Sequence, residues 1–192
     1  MGSPASDSAW YFTQGMTNRQ LPPTNNSRPR YQLIPRVLCF VTAGTDVLLL
    51  KGAPNKKLWA GKYNGLGGHV ERGESVQAAA AREILEESAL TVSDLRLRGV
   101  ITIDLGDEPG IGLFVFTAEA ISRAFTASAE GALEWVPLSR VAALDTVEDL
   151  PVLLPYVLGQ AAEAAPFSAL YHYAADGRLI MEFTPRQEAM DR

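Results

Sequence analysis

Residues 68–90 read GHVERGESVQAAAAREILEESAL, and this stretch decides the fold of the chain. Gly68 is followed six positions later by Glu74, and eight positions after that begins the run Arg82-Glu83-Ile84-Leu85-Glu86-Glu87. The second half, from about Ser75 to Ser88, is rich in Ala, Glu, Leu and Arg, which are good helix formers. The stretch therefore predicts a glycine-containing loop that leads directly into a helix.

Three glutamates of this helix share one face. At about 100° per residue, Glu83, Glu86 and Glu87 are i, i+3 and i+4 neighbours, with Arg82 at the edge of the group. Like charges at this spacing repel by roughly 0.2–0.5 kcal/mol per pair, so a bound cation would stabilise them. Carboxylate oxygens suit Mg²⁺ or Mn²⁺, and Mg²⁺ commonly bridges carboxylates and substrate phosphates. A solvated charged face is the alternative, but it leaves the fixed offset from Glu74 unexplained.

The opposite side of the helix is predicted to face the core. Periodicity places there Ala78, Ala81, Ile84, Leu85 and Ser88. The segment before the helix, residues 63–70 (YNGLGGHV), holds three glycines, which permit positive φ and close backbone approach. We expect this segment to be a tight connection between a strand and the helix.

The complete pattern, G-x5-E-x7-R-E-U-x-E-E-x-G-U with U a bulky aliphatic residue, resembles the signature of the Nudix hydrolases. It departs from that signature at one position, where Ala89 replaces a glycine. The resemblance implies an α/β/α sandwich, with a mixed β-sheet between helices and a loop-helix-loop catalytic motif. It also implies hydrolysis of a nucleoside diphosphate derivative by metal-activated water. Ala89 would lie just past the helix, where positive φ is common, and is expected to reduce stability rather than activity.

The same resemblance implies a role for each residue of the motif. The metal would be held by the backbone carbonyl of Gly67 and by the carboxylates of Glu83, Glu86 and Glu87. Arg82 would orient a glutamate through a charge-assisted hydrogen bond, and Glu74 would brace the junction of loop and helix. The general base stays open between Glu83 and Glu86, with Glu83 preferred.

Outside the motif, the chain is most similar to the MutT-like members that hydrolyse oxidised purine nucleoside triphosphates. This similarity runs from about residue 36 to residue 158. It implies that Asn64 and the pair Glu148 and Asp149 read the base, and that Glu108 supplies a further carboxylate to the metal. Each position has an ordinary alternative: turn chemistry for Asn64, an exposed loop for Glu108, and the first turn of a helix for the acidic pair.

Aromatic residues beside the glycine loop could form a wall of the nucleotide pocket. Trp59 and Tyr63 flank the loop, and Gly68 would lie close to the phosphates. In the MutT-like enzymes a tryptophan of the acidic loop stacks on the base, but Thr146 lies near that position here. Base stacking is therefore expected to come from another aromatic residue.

These observations lead to one favoured function and several alternatives. We expect Mg²⁺-dependent hydrolysis of a nucleoside triphosphate to the monophosphate and pyrophosphate, with oxidised purine nucleotides such as 8-oxo-dGTP preferred. The alternatives are hydrolysis of ADP-ribose, diadenosine polyphosphates or coenzyme A, and a non-catalytic nucleotide sensor. The proline and the tyrosine typical of the ADP-ribose and diadenosine groups are missing, and every carboxylate of the motif is present, which disfavours a sensor.

The composition sets further limits. The chain has 192 residues, 47% of them apolar, enough for one domain with a sizeable core. Its net charge of −5 disfavours binding to a nucleic acid polymer but not to a small-molecule nucleotide. Cys39 is the only cysteine, so no internal disulfide is possible, and its apolar surroundings predict a buried thiol. Without an apolar run of membrane-spanning length or a secretory signal, we expect a cytoplasmic protein without membrane contact.

The chain divides into a tail and a single domain. Residues 1–30 are rich in Ser, Pro, Asn, Thr and Gln and are expected to be disordered or partly vector-derived. Residues 31–192 form the α/β domain, whose strands are expected at 36–42, 46–51, 95–105, 112–119 and 133–137, with a helix over 150–164. Residues 170–174 and 178–183 predict a C-terminal β-hairpin, and a homodimer that pairs through this hairpin is an open possibility.

Overall fold

The computed structural model describes residues 30–54, 59–106, 108–126 and 131–184 of the chain. The elements are β1 (Leu33–Ala43), β2 (Asp46–Gly52), β3 (Tyr63–Asn64), α1 (Val76–Ser88), β4 (Val92–Ile103), β5 (Gly110–Ala120), β6 (Gly131–Pro137), a short 3₁₀ helix (Leu138–Ala143), α2 (Leu150–Leu158), β7 (Phe167–Tyr173) and β8 (Leu179–Phe183). The N-terminal tail lies outside the described residues, apart from Arg30, and so does the C-terminal end after Thr184.

The eight strands form one mixed sheet. Its order is β3-β2-β1-β5-β4-β7-β8, and β6 pairs with β2 beside this path. The pairs β1–β5 and β4–β7 are parallel, and the other pairs are antiparallel. The predicted hairpin between β1 and β2 is present, and Gly44 adopts the positive φ of 65° that its turn requires.

One helix packs on each face of the sheet, which gives the predicted α/β sandwich. On one face α1 contributes Ala79, Ala80 and Ile84 to a core cluster that includes Cys39. On the other face the apolar side of α2 joins a second cluster, which includes Phe40. Alternation along β1 supplies both clusters, because successive side chains of a strand point to opposite faces. The Cys39 thiol is fully buried, as predicted.

The buried side of α1 differs from the predicted one. Ala78, Ala81 and Leu85 are exposed, Leu85 to 56%, whereas the helix buries Ala79, Ala80, Ile84, Glu87 and Ser88. The Glu87 carboxylate accepts a hydrogen bond from the backbone of the glycine loop, so its side chain is turned inward. The periodicity argument assigns every glutamate to the exposed side of the helix. It therefore predicts an orientation of α1 that is rotated about the helix axis relative to the structure.

Helix α2 is shorter than predicted. It begins at Leu150, as expected, but ends at Leu158 instead of continuing to residue 164. The buried guanidinium of Arg98 on β4 donates to the carbonyls of Gln160, Ala161 and Ala162. These three carbonyls therefore receive their hydrogen bonds from a side chain and not from a continued helix. The high alanine content of the segment favours a helix but does not extend α2.

The C-terminal hairpin is present as β7 and β8, which pair antiparallel with Tyr171 opposite Met181. Strand β8 forms one edge of the sheet, so pairing of two copies through this edge stays a prediction. None of the helices in the described ranges is long and apolar enough to cross a membrane.

Candidate active site

The start of α1 is fixed by its own sequence. Ser75 is the N-cap, and its side-chain oxygen accepts a hydrogen bond from the Ala78 backbone N–H at 3.1 Å. The preceding glycine loop runs along β1, where the Val37 and Cys39 N–H groups donate to the carbonyls of Gly68 and Leu66. The loop and the acidic side of α1 are thereby held against the same strand.

Arg82 organises the acidic cluster. Its guanidinium contacts both carboxylate oxygens of Glu74, at 2.7 and 3.2 Å, and reaches Glu83 Oε1 at 2.9 Å and Glu86 Oε2 at 3.1 Å. It also donates to the carbonyl of His69 at 3.0 Å. These hydrogen bonds lower the pKa of Glu74, because they favour its ionised form. Arg82 therefore links Glu74, at the junction of loop and helix, to Glu83 and Glu86 on α1, while the roles of Arg82 and Glu74 in catalysis stay predictions.

Glu87 and Gly67 form the second contact between helix and loop. Glu87 is only 5% exposed, and its Oε2 accepts a hydrogen bond from the Gly67 N–H at 2.8 Å. Gly67 has a φ of 146°, and a Cβ atom at this position would overlap the carbonyl oxygen of Val37. Within the described ranges the Gly67 carbonyl accepts no hydrogen bond, which leaves it available as a ligand.

Gly68 leaves room for the carboxylate of Glu83. A Cβ atom at Gly68 would overlap the carboxylate of Glu83, so this side chain lies directly against the loop backbone. The Glu83 side chain is 13% exposed, compared with 59% for Glu86. Glu83 is therefore the more enclosed of the two candidates for the general base.

The donor set fits a hard divalent cation. In the described part of the chain, no three carboxylate, imidazole or thiol groups converge closely enough to enclose a metal ion. Mg²⁺ does not require such a cage, because it usually keeps several waters and binds one or two carboxylates together with substrate phosphates. The available donors, Glu83, Glu86, Glu87 and the Gly67 carbonyl, are all oxygen ligands.

A cavity of about 540 Å³ extends from the acidic cluster across the sheet. One end is lined by Gly67, Gly68 and the α1 glutamates, and the other by Glu148, Asp149 and Tyr173. Between the two ends lie apolar side chains of the sheet, such as Leu113. An acidic end joined to an apolar floor suits a ligand that carries both phosphates and a planar ring.

Asn64, Glu148 and Asp149 line this cavity, as predicted for base-reading residues. Asn64 Oδ1 also accepts a hydrogen bond from the Gly65 N–H at 2.8 Å, so the residue shapes the turn as well. Glu148 Oε1 accepts from the Leu179 N–H at 3.2 Å. Burial, together with the nearby Glu148, raises the pKa of Asp149.

Three predicted site residues, Glu74, Tyr63 and Glu108, do not line the cavity. The hydroxyl of Tyr63 donates to Glu134 Oε2 at 2.7 Å, so its side chain is directed to β6 and not to the ligand space. Trp59, which flanks the same loop, does line the cavity and is 49% exposed. Glu108 is exposed and does not line the cavity, while the neighbouring Asp107 lies outside the described residues. This orientation of Tyr63 does not favour the expected contact with the substrate, which stays a prediction.

The structure adds cavity residues that the sequence argument missed. They are Arg36 on β1, Lys62 in the glycine loop, and Tyr171 and Tyr173 on β7. Lys62 forms an ion pair of 2.6 Å with Asp145. The sequence signal for Arg36 is a single charge at the start of an otherwise apolar strand, whereas the alternating tyrosines of β7 resemble ordinary core positions.

The family model of the NUDIX domain matches residues 32–157, which is more than half of the chain. The chain therefore belongs to the Nudix family, and it is a Nudix hydrolase. Members of this family generally use divalent metals such as Mg²⁺.

Individual relatives support the assignment. The oxidized purine nucleoside triphosphate hydrolase of Mus musculus is 32% identical over 111 residues, which cover 57% of this chain and 71% of the relative. The NAD-capped RNA hydrolase NudC of Pseudomonas syringae pv. syringae is 35% identical over 75 residues, or 39% of this chain and 26% of that protein. The crystal structure of the mutator MutT protein from Bacillus halodurans aligns with a TM-score of 0.63 and 25% identity, covering 81% of this chain and all of that chain.

Proposed function

We propose that the protein hydrolyses nucleoside triphosphates to the monophosphate and pyrophosphate, with Mg²⁺ or Mn²⁺ as cofactor and oxidised purine nucleotides such as 8-oxo-dGTP as preferred substrates. The observation that carries this proposal is a cavity that has an acidic end at α1 and a polar, aromatic end at Asp149 and Tyr173. The similarity to a hydrolase of oxidised purine nucleotides points in the same direction.

The acidic end is suited to the phosphates. Glu83, Glu86, Glu87 and the Gly67 carbonyl would hold the cation, which when bound supplies Lewis acidity and an activated water. Arg82 keeps the Glu83 carboxylate oriented beside the loop, where Glu83 can take the proton of the attacking water. The water oxygen forms a new bond to phosphorus, the bond to the bridging oxygen between the α- and β-phosphates breaks, and pyrophosphate leaves.

The opposite end is suited to the base. Asp149 is enclosed near Tyr171, and burial raises its pKa, so its protonated form is easier to populate than that of an exposed carboxyl. A protonated carboxyl donates a hydrogen bond, whereas an ionised one only accepts. Tyr173, 53% exposed at the same end, offers an aromatic face for stacking in place of the missing tryptophan.

Hydrolysis of another nucleoside diphosphate derivative is the second candidate. The similarity to an NAD-capped RNA hydrolase favours it, since that substrate also joins two phosphates between larger groups. The matched segment covers only 26% of that relative, so the shared part is the hydrolase motif and its surroundings.

A substrate panel tests the proposal. Release of phosphate and pyrophosphate is followed in Mg²⁺ for 8-oxo-dGTP, dGTP, ADP-ribose, diadenosine polyphosphates and NAD-capped RNA. The Glu87→Gln variant keeps an acceptor for the Gly67 N–H but removes the charge, and we expect it to lose at least 100-fold in kcat. Glu163→Gln makes the same change at an exposed side chain that pairs with Arg96 and does not line the cavity, and should retain activity.

Each outcome of the substrate panel leads to a different conclusion about the function. Pyrophosphate release from 8-oxo-dGTP, lost in Glu87→Gln and kept in Glu163→Gln, supports the proposal. Turnover of ADP-ribose, diadenosine polyphosphates or NAD-capped RNA alone would replace it with the second candidate. Metal-dependent binding without turnover of any compound would contradict both.

A further inference from the structure

Arg36 differs from the other basic residues of the cavity in its partners. Lys62 is paired with Asp145, and Arg82 is shared among three glutamates. The guanidinium of Arg36 has no ion pair or hydrogen bond to any other described residue. It is half-buried in the wall of the cavity, so its charge is available to a ligand.

The backbone places Arg36 next to the phosphate end. Arg36 lies opposite His69 in an isolated antiparallel bridge, and the adjacent Val37 N–H donates to the carbonyl of Gly68 at 2.9 Å. Gly68 in turn lies against the Glu83 carboxylate. Across the sheet Arg36 is paired with Leu113, which also lines the cavity. Arg36 is therefore a lining residue whose backbone is paired with the glycine loop on one side and with the apolar floor on the other.

The cavity lining has more acidic than basic side chains, so an unpaired guanidinium would favour the binding of phosphate there. Its acidic lining consists of Glu71, Glu83, Glu86, Glu87, Glu148 and Asp149, and its Arg and Lys side chains in the described ranges are Arg36, Lys62 and Arg82. A polyphosphate entering this acidic surface is repelled unless cations face it. A guanidinium binds phosphate with two parallel N–H···O hydrogen bonds, a geometry that lysine does not reproduce.

We propose that Arg36 binds the phosphate chain of the substrate and thereby determines the affinity for triphosphates. This inference rests on the proposed function, because it assigns a residue to the phosphate end of the same site. Arg36 would hold the phosphate chain in the ground state and in the transition state alike, so its loss should raise KM and leave kcat nearly unchanged.

The test compares Arg36→Gln, which removes charge and hydrogen bonds, with Arg36→Lys, which keeps only the charge. With 8-oxo-dGTP we expect KM to rise about ten- to hundredfold in Arg36→Gln, as for the loss of charge-assisted hydrogen bonds, and less in Arg36→Lys. The change in kcat should stay within about threefold. Arg140→Gln alters an exposed arginine outside the cavity and should leave both constants unchanged.

A second measurement does not depend on turnover. Binding of inorganic tripolyphosphate in Mg²⁺ buffer is measured by calorimetry, and its Kd should rise at least tenfold in Arg36→Gln. Unchanged KM and unchanged tripolyphosphate Kd, or no tripolyphosphate binding by the wild-type protein, would overturn the inference. If the wild-type protein hydrolyses no nucleotide, the proposed function fails, and the tripolyphosphate Kd alone then decides the role of Arg36. If Arg36→Gln does not fold, Arg36→Lys provides the same comparison.

Discussion

At the scale of single residues, Ala89 is the one departure from the family motif, and the structure explains its effect. Ala89 is the C-cap of α1 and has a φ of 56° and a ψ of 18°, in the left-handed region. Its N–H donates to the Leu85 carbonyl at 2.8 Å, so the conformation closes the last turn of the helix. A residue with a Cβ atom is strained there, whereas glycine is not.

Replacing Ala89 with glycine should therefore stabilise the protein. We expect a gain of about 1 kcal/mol, which corresponds to a rise of roughly 2–4 °C in Tm for a chain of this size. The matched control is Ala81→Gly, the same change at an exposed position inside α1, which should lower stability by about 0.5–1 kcal/mol. Thermal unfolding of both variants checks the pair. Equal shifts in the same direction would show that the backbone conformation of residue 89 is not the cause.

At the scale of elements, the glycine loop and α1 act as one unit because the Glu83 and Glu87 side chains of the helix lie directly against the loop backbone. Gly68 illustrates this, since the three heavy atoms nearest to an added Cβ atom there all belong to the carboxylate end of the Glu83 side chain. The backbone of Gly68 is not in a conformation reserved for glycine. A methyl group should therefore displace the carboxylate of Glu83 without disturbing the fold.

We expect Gly68→Ala to lower kcat by about 100-fold, since a misplacement of about 1 Å in a catalytic group can have this effect. The Tm should change by less than about 3 °C, because the flexible side chain can move aside. Gly112→Ala is the matched control: its added Cβ atom would lie at an ordinary contact distance of 3.6 Å from Leu33. Steady-state kinetics and thermal unfolding are measured on both. A large loss of Tm in Gly68→Ala, or full activity, would contradict the displacement of Glu83.

The loop-helix unit was also the part of the fold that the sequence predicted best. The start of α1 near Ser75, the acidic cluster and the special backbone of residue 89 all depend on neighbours within a few turns, so fixed offsets in the sequence determine them. The inward orientation of Glu87 was missed because its partner is the Gly67 backbone, twenty positions earlier in the chain. The side chain of Tyr63 was misplaced for a similar reason, because its partner Glu134 lies on a distant strand.

At the scale of the whole molecule, contacts between segments distant in the sequence determine which strands pair and which residues line the cavity. Local sequence patterns do not predict these contacts. The parallel pairs β1–β5 and β4–β7 join segments far apart in the sequence, and they bring Arg36, Leu113 and Tyr171 to one cavity. Nothing in the spacing of hydrophobic residues identifies which strands pair. The same is true of Arg98, whose three carbonyl partners lie more than sixty positions away, in the segment that follows α2.

Arg98 therefore provides a test of this long-range connection. It is 5% exposed, and its guanidinium joins β4 to the segment that links α2 with β7. Arg98→Lys keeps the charge but cannot reach three carbonyls with one planar group, so we expect a loss of about 2–4 kcal/mol.

That loss corresponds to a fall in Tm of roughly 4–12 °C, with kinetic constants unchanged at temperatures where the variant is folded. Arg96→Lys, two residues away on the same strand, changes a half-buried arginine that bonds Asp94, Glu163 and only one of these carbonyls, that of Ala162, and should cost less than about 1 kcal/mol. Thermal unfolding distinguishes the two variants, and activity at low temperature shows that the site is intact. A smaller effect at residue 98 than at residue 96 would mean that the carbonyls after α2 do not depend on the buried guanidinium, and that another interaction ends the helix.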